Sequence, residues 1–305
     1  MSTDVTEAPH RARTIAEMQQ IQSRLGTPEE FARGIQAYKP RPTDVIISPF
    51  GKCGTTWLQQ TFHTLRTRGD MDFDDISRVV PWIETAGPLG LDIEAPQRAE
   101  PRGFKSHMSY GPIPKGARYV VCVRDPKDAF VSMFRFMEGW FVEPGTVTMA
   151  EFFPGWKRGG GPGGEGYWKH LLSWWAVRDQ PNVMLVSYEH MTAEPEAHVK
   201  RLAAFAGLPL DDELLALTLE RSSLAFMLAH KDRFDDRMMR ELSEARCNLP
   251  AGSDSAKVRK GGVGGHRQEL PPEIAAEIDA AWTEQVAPVL GFPDYAALEA
   301  ELRKG

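Results

Sequence analysis

Only three cysteines, Cys53, Cys122 and Cys247, occur in 305 residues. They are too few and too scattered for a disulfide framework or a four-ligand zinc site, so a reducing, cytoplasmic setting is expected. Long apolar runs are missing as well. No segment is long enough to cross a bilayer, and the first residues have none of the apolar core of a secretory signal, so no transmembrane anchor is expected. Positive charge is not in excess. The net charge of −6 argues against bulk nucleic acid as a partner while leaving room for a local basic pocket. What remains is ordinary globular material, 42% hydrophobic and 26% charged, with length for a sizeable core. With no internal repeat and no long linker, one domain over residues 1–305 is expected, with 1–13 disordered and a motif-bearing core at about 44–265.

Along the chain a unit of strand, loop and helix recurs. Residues 14–38 place Ile15, Met18, Ile21 and Leu25 at helical spacing, and Lys39-Pro40-Arg41-Pro42 ends the pattern. Residues 44–48 read as a short buried strand, Pro49-Phe50-Gly51 as a turn, and 55–68 as a helix that buries Leu58, Phe62 and Leu65. Further strands are expected at 102–106, 118–123 and 183–187. Helices are expected at 128–138, with Pro126 in a first turn that tolerates it, at 167–180 and at 195–206. This alternation predicts an α/β fold, a mainly parallel sheet flanked by helices with a P-loop-like nucleotide-binding core. The glycine-rich residues 159–166 and the Gly/Ser/Lys-containing residues 248–265 read as mobile loops.

The most informative segment is Lys52-Cys53-Gly54-Thr55-Thr56-Trp57, between a buried strand and a helix. At such a junction the free N–H groups and the helix dipole favour an anion. Gly54 lets the backbone approach closely, Thr55 and Thr56 add hydroxyls, and Lys52 adds a full charge. The nucleotide-triphosphate loop G-x-x-x-x-G-K-[ST] is absent, because the lysine precedes the glycine. No clear acidic residue closes a strand to hold Mg²⁺. The segment is therefore a phosphate loop, but not one for ATP with magnesium, and no metal is expected.

Lys52 to Trp57 resembles the 5′-phosphosulfate loop of the cytosolic sulfotransferases that use 3′-phosphoadenosine 5′-phosphosulfate (PAPS), usually P-K-[S/A]-G-T-T-W. Three more segments match in order. Lys105-Ser106-His107 resembles the family's K-T-H. Residues 123–132, with Arg124 and Ser132 eight apart, resemble its 3′-phosphate segment. Arg259-Lys260-Gly261 resembles the start of its late R-K-G-x-x-G loop. Tyr188, Ser222, Leu224 and the run Pro81-Trp82-Ile83-Glu84 are weaker echoes. The chain departs from the pattern at Gly51, where proline is usual, at Cys53, and at Gly265-His266, where Asp-Trp is common. The family's dimer motif is not recognisable around residues 267–277, so a homo-oligomer stays open.

The resemblance implies a sulfuryl transfer from PAPS, leaving 3′-phosphoadenosine 5′-phosphate (PAP), to the hydroxyl of a small and hydrophobic acceptor such as a phenol, an alcohol or a glycolipid-like molecule. Positioning and charge stabilisation dominate such a transfer. Lys52 is placed to stabilise the bridging oxygen and Lys105 to hold sulfuryl oxygens. His107 is the expected general base. Cys53, Gly54, Thr55 and Thr56 line the 5′-phosphate, and Trp57, Tyr188, Ser222 and Leu224 the adenine side. Arg124, Ser132, Arg259, Lys260 and Gly261 read the 3′-phosphate, arginine being suited to bidentate phosphate contact. Read without the resemblance, Arg124 and Lys127 are surface ion pairs with Asp125 or Asp128. Met108, Tyr110, Phe136, Met137, Trp140 and Phe141 wall an acceptor pocket or belong to the core, and Trp82 is expected in the core. Two other functions fit less well: a P-loop kinase using ATP–Mg²⁺, and a catalytically inactive nucleotide-binding protein.

Overall fold

The computed structural model describes residues 8–159, 165–252, 257–258 and 261–304. Two short helices, α1 (Ile15–Gln22) and α2 (Pro28–Ala37), precede the sheet. Among the described residues the sheet has four strands, β1 (Val45–Ile47), β2 (Gly103–Lys105), β3 (Arg118–Val123) and β4 (Val183–Ser187), in the order β2-β1-β3-β4. Every neighbouring pair is parallel, with Ile46 opposite Phe104 on one side and Tyr119 on the other.

Both faces of the sheet are covered, which is why its strands are apolar almost throughout. Val45, Ile47, Val120, Cys122, Met184 and Val186 share a core with Leu58 and Phe62. Ile46, Tyr119, Val121, Val183 and Leu185 share the opposite core with Ala129, Phe130 and Trp174. The helix after β1, α3 (Thr55–Thr67), covers the first face, and the helix Pro126–Trp140 after β3 covers the second. The chain thus leaves adjacent strands towards opposite faces, which opens a crevice at their carboxyl ends, where ligands of such sheets gather. At the other end, a buried bidentate pair ties β2 to the entry of β1. Arg102 Nε and Nη2 donate to Asp44 Oδ1 and Oδ2 at 2.9 and 2.7 Å.

Three expectations are corrected. The single helix at 14–38 is two, because Thr27 and Glu30 form a reciprocal capping box and Pro28 starts a new first turn. Disorder over 1–13 does not hold for residues 8–13. Ala12 is fully buried, its N–H donates to the Phe141 carbonyl at 2.9 Å, and its carbonyl accepts from Glu143 N–H at 2.8 Å. The polar neighbours of this alanine concealed a backbone bridge, which needs no side-chain signal. Within 248–265, Gly264 is tied down, its N–H donating to Asp128 Oδ2 at 2.7 Å. Residues 160–164 of the glycine-rich stretch, and Arg259 and Lys260, lie outside the described residues.

Candidate active site

The loop between β1 and α3 is shaped by two left-handed residues, Lys52 at φ 69° and Gly54 at φ 84°. Gly54 caps α3 with no side chain of its own, so the N–H groups of the first turn point outward without a helical acceptor. A Cβ on Gly54 would meet the Tyr188 ring at 3.1 Å. The Lys52 ammonium lies 4.2 Å from the centre of the Phe136 ring. Burial, then the neighbouring Lys257, lowers its pKa to about 7. Cys53 is turned away. Its thiol is buried against the sheet, its pKa pushed up to about 12 by that burial, and its N–H is spent on the Phe50 carbonyl.

Arg124 leaves the end of β3 and crosses the crevice. Nη1 donates to the Lys52 carbonyl and Nη2 to the Gly262 carbonyl, each at 3.0 Å, and the guanidinium lies 4.4 Å over the Tyr188 ring. It pairs with neither Asp125 nor Asp128, and Lys127 pairs instead with Asp279. Asp128 gathers the late loop: besides Gly264 N–H, it accepts from His266 N–H at 2.9 Å and faces the His266 ring Nδ1 at 2.8 Å. Two buried polar atoms in these walls, Thr55 Oγ1 and Arg124 Nε, have no hydrogen-bond partner. Phosphate oxygens would satisfy both, so the residues present fit a nucleotide with phosphate at two positions.

β2 delivers Lys105 and His107. The His107 ring Nδ1 lies 2.7 Å from the Pro49 carbonyl. A carbonyl only accepts, so Nδ1 carries the proton and Nε2 keeps its lone pair. Burial and then Lys105 lower the His107 pKa to about 3, which keeps the ring neutral. Glu84 holds the turn from below: Oε1 accepts from His107 N–H at 2.7 Å and from Ser106 Oγ at 3.2 Å. The Lys105 ammonium sits 3.9 Å from the Trp82 ring centre and 3.3 Å from Asp236 Oδ1. Burial brings its pKa down to about 8, with Asp236 opposing that shift.

One cavity of about 1410 Å³ is lined by Lys52, Gly54, Thr55, Thr56, Trp57, Lys105, His107, Arg124, Ser132, Tyr188, Ser222, Leu224 and Gly261. Every proposed site residue within the described part therefore meets here except Cys53. The cavity continues as an apolar arm between Ile15, Met18 and Phe31 of the N-terminal helices and Phe136, Met137 and Trp140. Trp140 and Phe141 are both core and wall, being buried and lining the arm. Trp82, expected in the core, packs against it and also lies at the cavity under Lys105. Sequence reasoning missed Asp236, Lys257 and the contribution of α1 and α2. The helical period of α1 marks one apolar stripe but not that the stripe roofs a cleft. An isolated aspartate or lysine carries no local mark at all.

Comparison with known proteins bears on the family and the fold. The sulfotransferase-domain family pattern matches residues 42–289. The chain is 30% identical over 266 residues to cytosolic sulfotransferase 13 of Arabidopsis thaliana, covering 82% of this chain and 78% of that protein. It is 23% identical over 263 residues to sulfotransferase 1C2 of Oryctolagus cuniculus, covering 83% and 86%. Among solved structures, retinol dehydratase in complex with androsterone and PAP superposes with a TM-score of 0.68 at 19% identity, over 85% of each chain. Mouse sulfotransferase SULT7A1 complexed with PAP superposes with 0.66 at 20% identity, over 91% of this chain and 94% of that one. The last two likenesses concern the fold.

Proposed function

Because the chain belongs to the sulfotransferase family and is a PAPS-dependent sulfotransferase, we propose that it sulfates the hydroxyl of a small, apolar acceptor, with His107 as general base and without a metal. The observation that carries this reading is the shared cavity. The phosphate loop, Arg124 and a neutral His107 with a free Nε2 line one space that continues into an apolar arm. The donor, when bound, supplies an activated sulfuryl group on an anionic phosphate leaving group.

The residues divide the work. Thr55, Thr56 and the N–H groups opening α3 would hold the 5′-phosphate. Lys52 and Lys105 would bear on the charge that develops there, so the cations needed come from the chain. Arg124, Ser132 and the Gly261 N–H would read the 3′-phosphate, with Arg259 and Lys260 assigned to it on the motif alone. Trp57, Tyr188, Ser222 and Leu224 would flank the base. His107 Nε2 would accept the acceptor's proton while Nδ1–H stays on the Pro49 carbonyl. The apolar arm suits an alcohol in the size class of the androsterone or retinol bound by the retinol dehydratase structures. A phenol or glycolipid-like acceptor would use the same walls. A cytosolic location accords with the relatives' names, and no described helix is long and apolar enough to cross a membrane.

The test is thermal-shift titration with PAP, ATP–Mg²⁺ and AMP, followed by turnover of labelled PAPS on a panel of hydroxyl acceptors. Strong stabilisation by PAP with label transfer is expected. Stabilisation by ATP–Mg²⁺ alone would favour a kinase. PAP binding with no transfer to any acceptor would favour an inactive nucleotide-binding protein.

A further inference from the structure

Asp236 caps the helix Arg237–Cys247, yet its carboxylate makes no capping hydrogen bond. An aspartate at this position ordinarily turns back onto its own helix's N–H groups. Here that place is taken by Asp75, far away in the chain, whose Oδ2 accepts from Met238 N–H at 2.9 Å. Asp236 is thereby released to face the cavity. Its backbone is left-handed, at φ 47°, a conformation disfavoured for a non-glycine residue and retained where the surroundings enforce it.

The released carboxylate collects two lysines on one oxygen. Oδ1 lies 3.3 Å from the Lys105 ammonium and 2.5 Å from that of Lys257. All three side chains are buried, with 2% to 8% of their surface exposed. Buried charges are costly unless paired, and here the pairing is incomplete. Lys52, Lys105 and Lys257 line the same end of the cavity, where Asp236 stands as the carboxylate between two of them. Arg124 adds a further positive charge, His107 is neutral, and Asp75 lies behind Asp236. The surplus is positive, and His107 lines the same cavity. That is the arrangement an anionic group in transit would meet.

We propose that Asp236 is a positioning residue for sulfuryl transfer: it gathers Lys105 and Lys257 on Oδ1 and aims both ammonium groups at the site of the transferred group. This rests on the sulfotransferase reading above. It adds Lys257 as a cation for the transferred group, ahead of the Arg259-Lys260 motif, and gives Lys105 a fixed direction between the Trp82 ring and a carboxylate. Asp236 acts through the two lysines, by pairing with both in a buried place and by holding them in register.

The experiment uses the full chain and two probes that need no acceptor. PAP reports the nucleotide site. Orthovanadate added at saturating PAP reports the position of the transferred group. In Asp236→Asn and in Lys257→Met, vanadate affinity is expected to fall about tenfold or more, the loss of a charged hydrogen bond, while PAP affinity changes less than about threefold. Asp236→Glu should recover part of the vanadate binding. Should Asp236→Asn fail to fold, Lys257→Met still decides the matter, because its side chain keeps the length and loses the charge. Unchanged vanadate affinity in Lys257→Met, or equal losses for PAP and vanadate, would overturn the proposal. So would wild-type protein that binds PAP but no vanadate. Wild-type protein that fails to bind PAP would instead overturn the function on which it rests.

Discussion

The Arg124 guanidinium donates a 3.0 Å hydrogen bond to the Lys52 carbonyl. The two cations that bracket the crevice are therefore one mechanical unit. The arginine that would read the 3′-phosphate also holds the loop that would receive the 5′-phosphate, and its second arm holds Gly262 of the late loop. Arg124→Ala should weaken PAP binding by about tenfold to a hundredfold, with a much smaller loss for adenosine 5′-phosphosulfate, which lacks the 3′-phosphate. Calorimetry on both ligands checks this. Equal losses would make Arg124 a structural brace only.

His107→Ala should remove most turnover, about a hundredfold to ten-thousandfold, and leave PAP affinity nearly unchanged. The Pro49 carbonyl that fixes the tautomer is a backbone group, so it stays in place in the variant. Retained turnover together with poor PAP binding would move the base elsewhere.

The pH profile should be set by burial. Lys52, lowered to about 7, and Lys105, lowered to about 8, are charged below these values and neutral above them. An anion binds the charged forms, so PAP affinity should fall as pH rises through about 7, where Lys52 loses its charge, and vanadate affinity at saturating PAP should fall as pH rises through about 8, where Lys105 does, both well below the ordinary lysine range near 10.4. His107 moves the other way in its effect. With its pKa lowered to about 3, the base form persists far below the ordinary histidine value of about 6.5. The acid limb of kcat/KM should accordingly lie below that value. An acid limb at 6.5, or PAP affinity that rises with pH, would contradict this picture.

Gly54→Ala tests the loop itself. The left-handed backbone disfavours a side chain, and a methyl group would stand 3.1 Å from the Tyr188 ring, which must give way by a few tenths of an ångström. A stability loss of about 1–2 kcal/mol is expected, read as a lower urea midpoint at unchanged slope. PAP affinity should fall with it, because the ring that Arg124 lies over must move.

Much of the fold was legible because its signals are local. The strands β1, β3 and β4 are apolar runs of three to six residues, and each is followed within a few positions by a residue of the site. The α3 entry was visible because a glycine between a lysine and two threonines has a specific backbone use. The N-terminal helices were harder to read. Ile15 and Met18 have the right spacing, but that spacing is the same whether the partner face is a core or the wall of a cleft. Trp82 was half legible for a related reason: an indole ring can serve as core filling or as a seat for a buried ammonium, and this one packs against the core while Lys105 sits over its ring.

By itself the sequence determined the order of strands and helices, the phosphate loop and the ordered motifs that mark the family, because hydrophobic period, glycine placement and short motifs act over neighbouring residues. The tertiary structure alone decided which groups share a cavity and in what charge state. Asp75 caps a helix more than 150 residues away and so frees Asp236 for Lys105 and Lys257. Burial and through-space charge depend on distances that chain order does not encode.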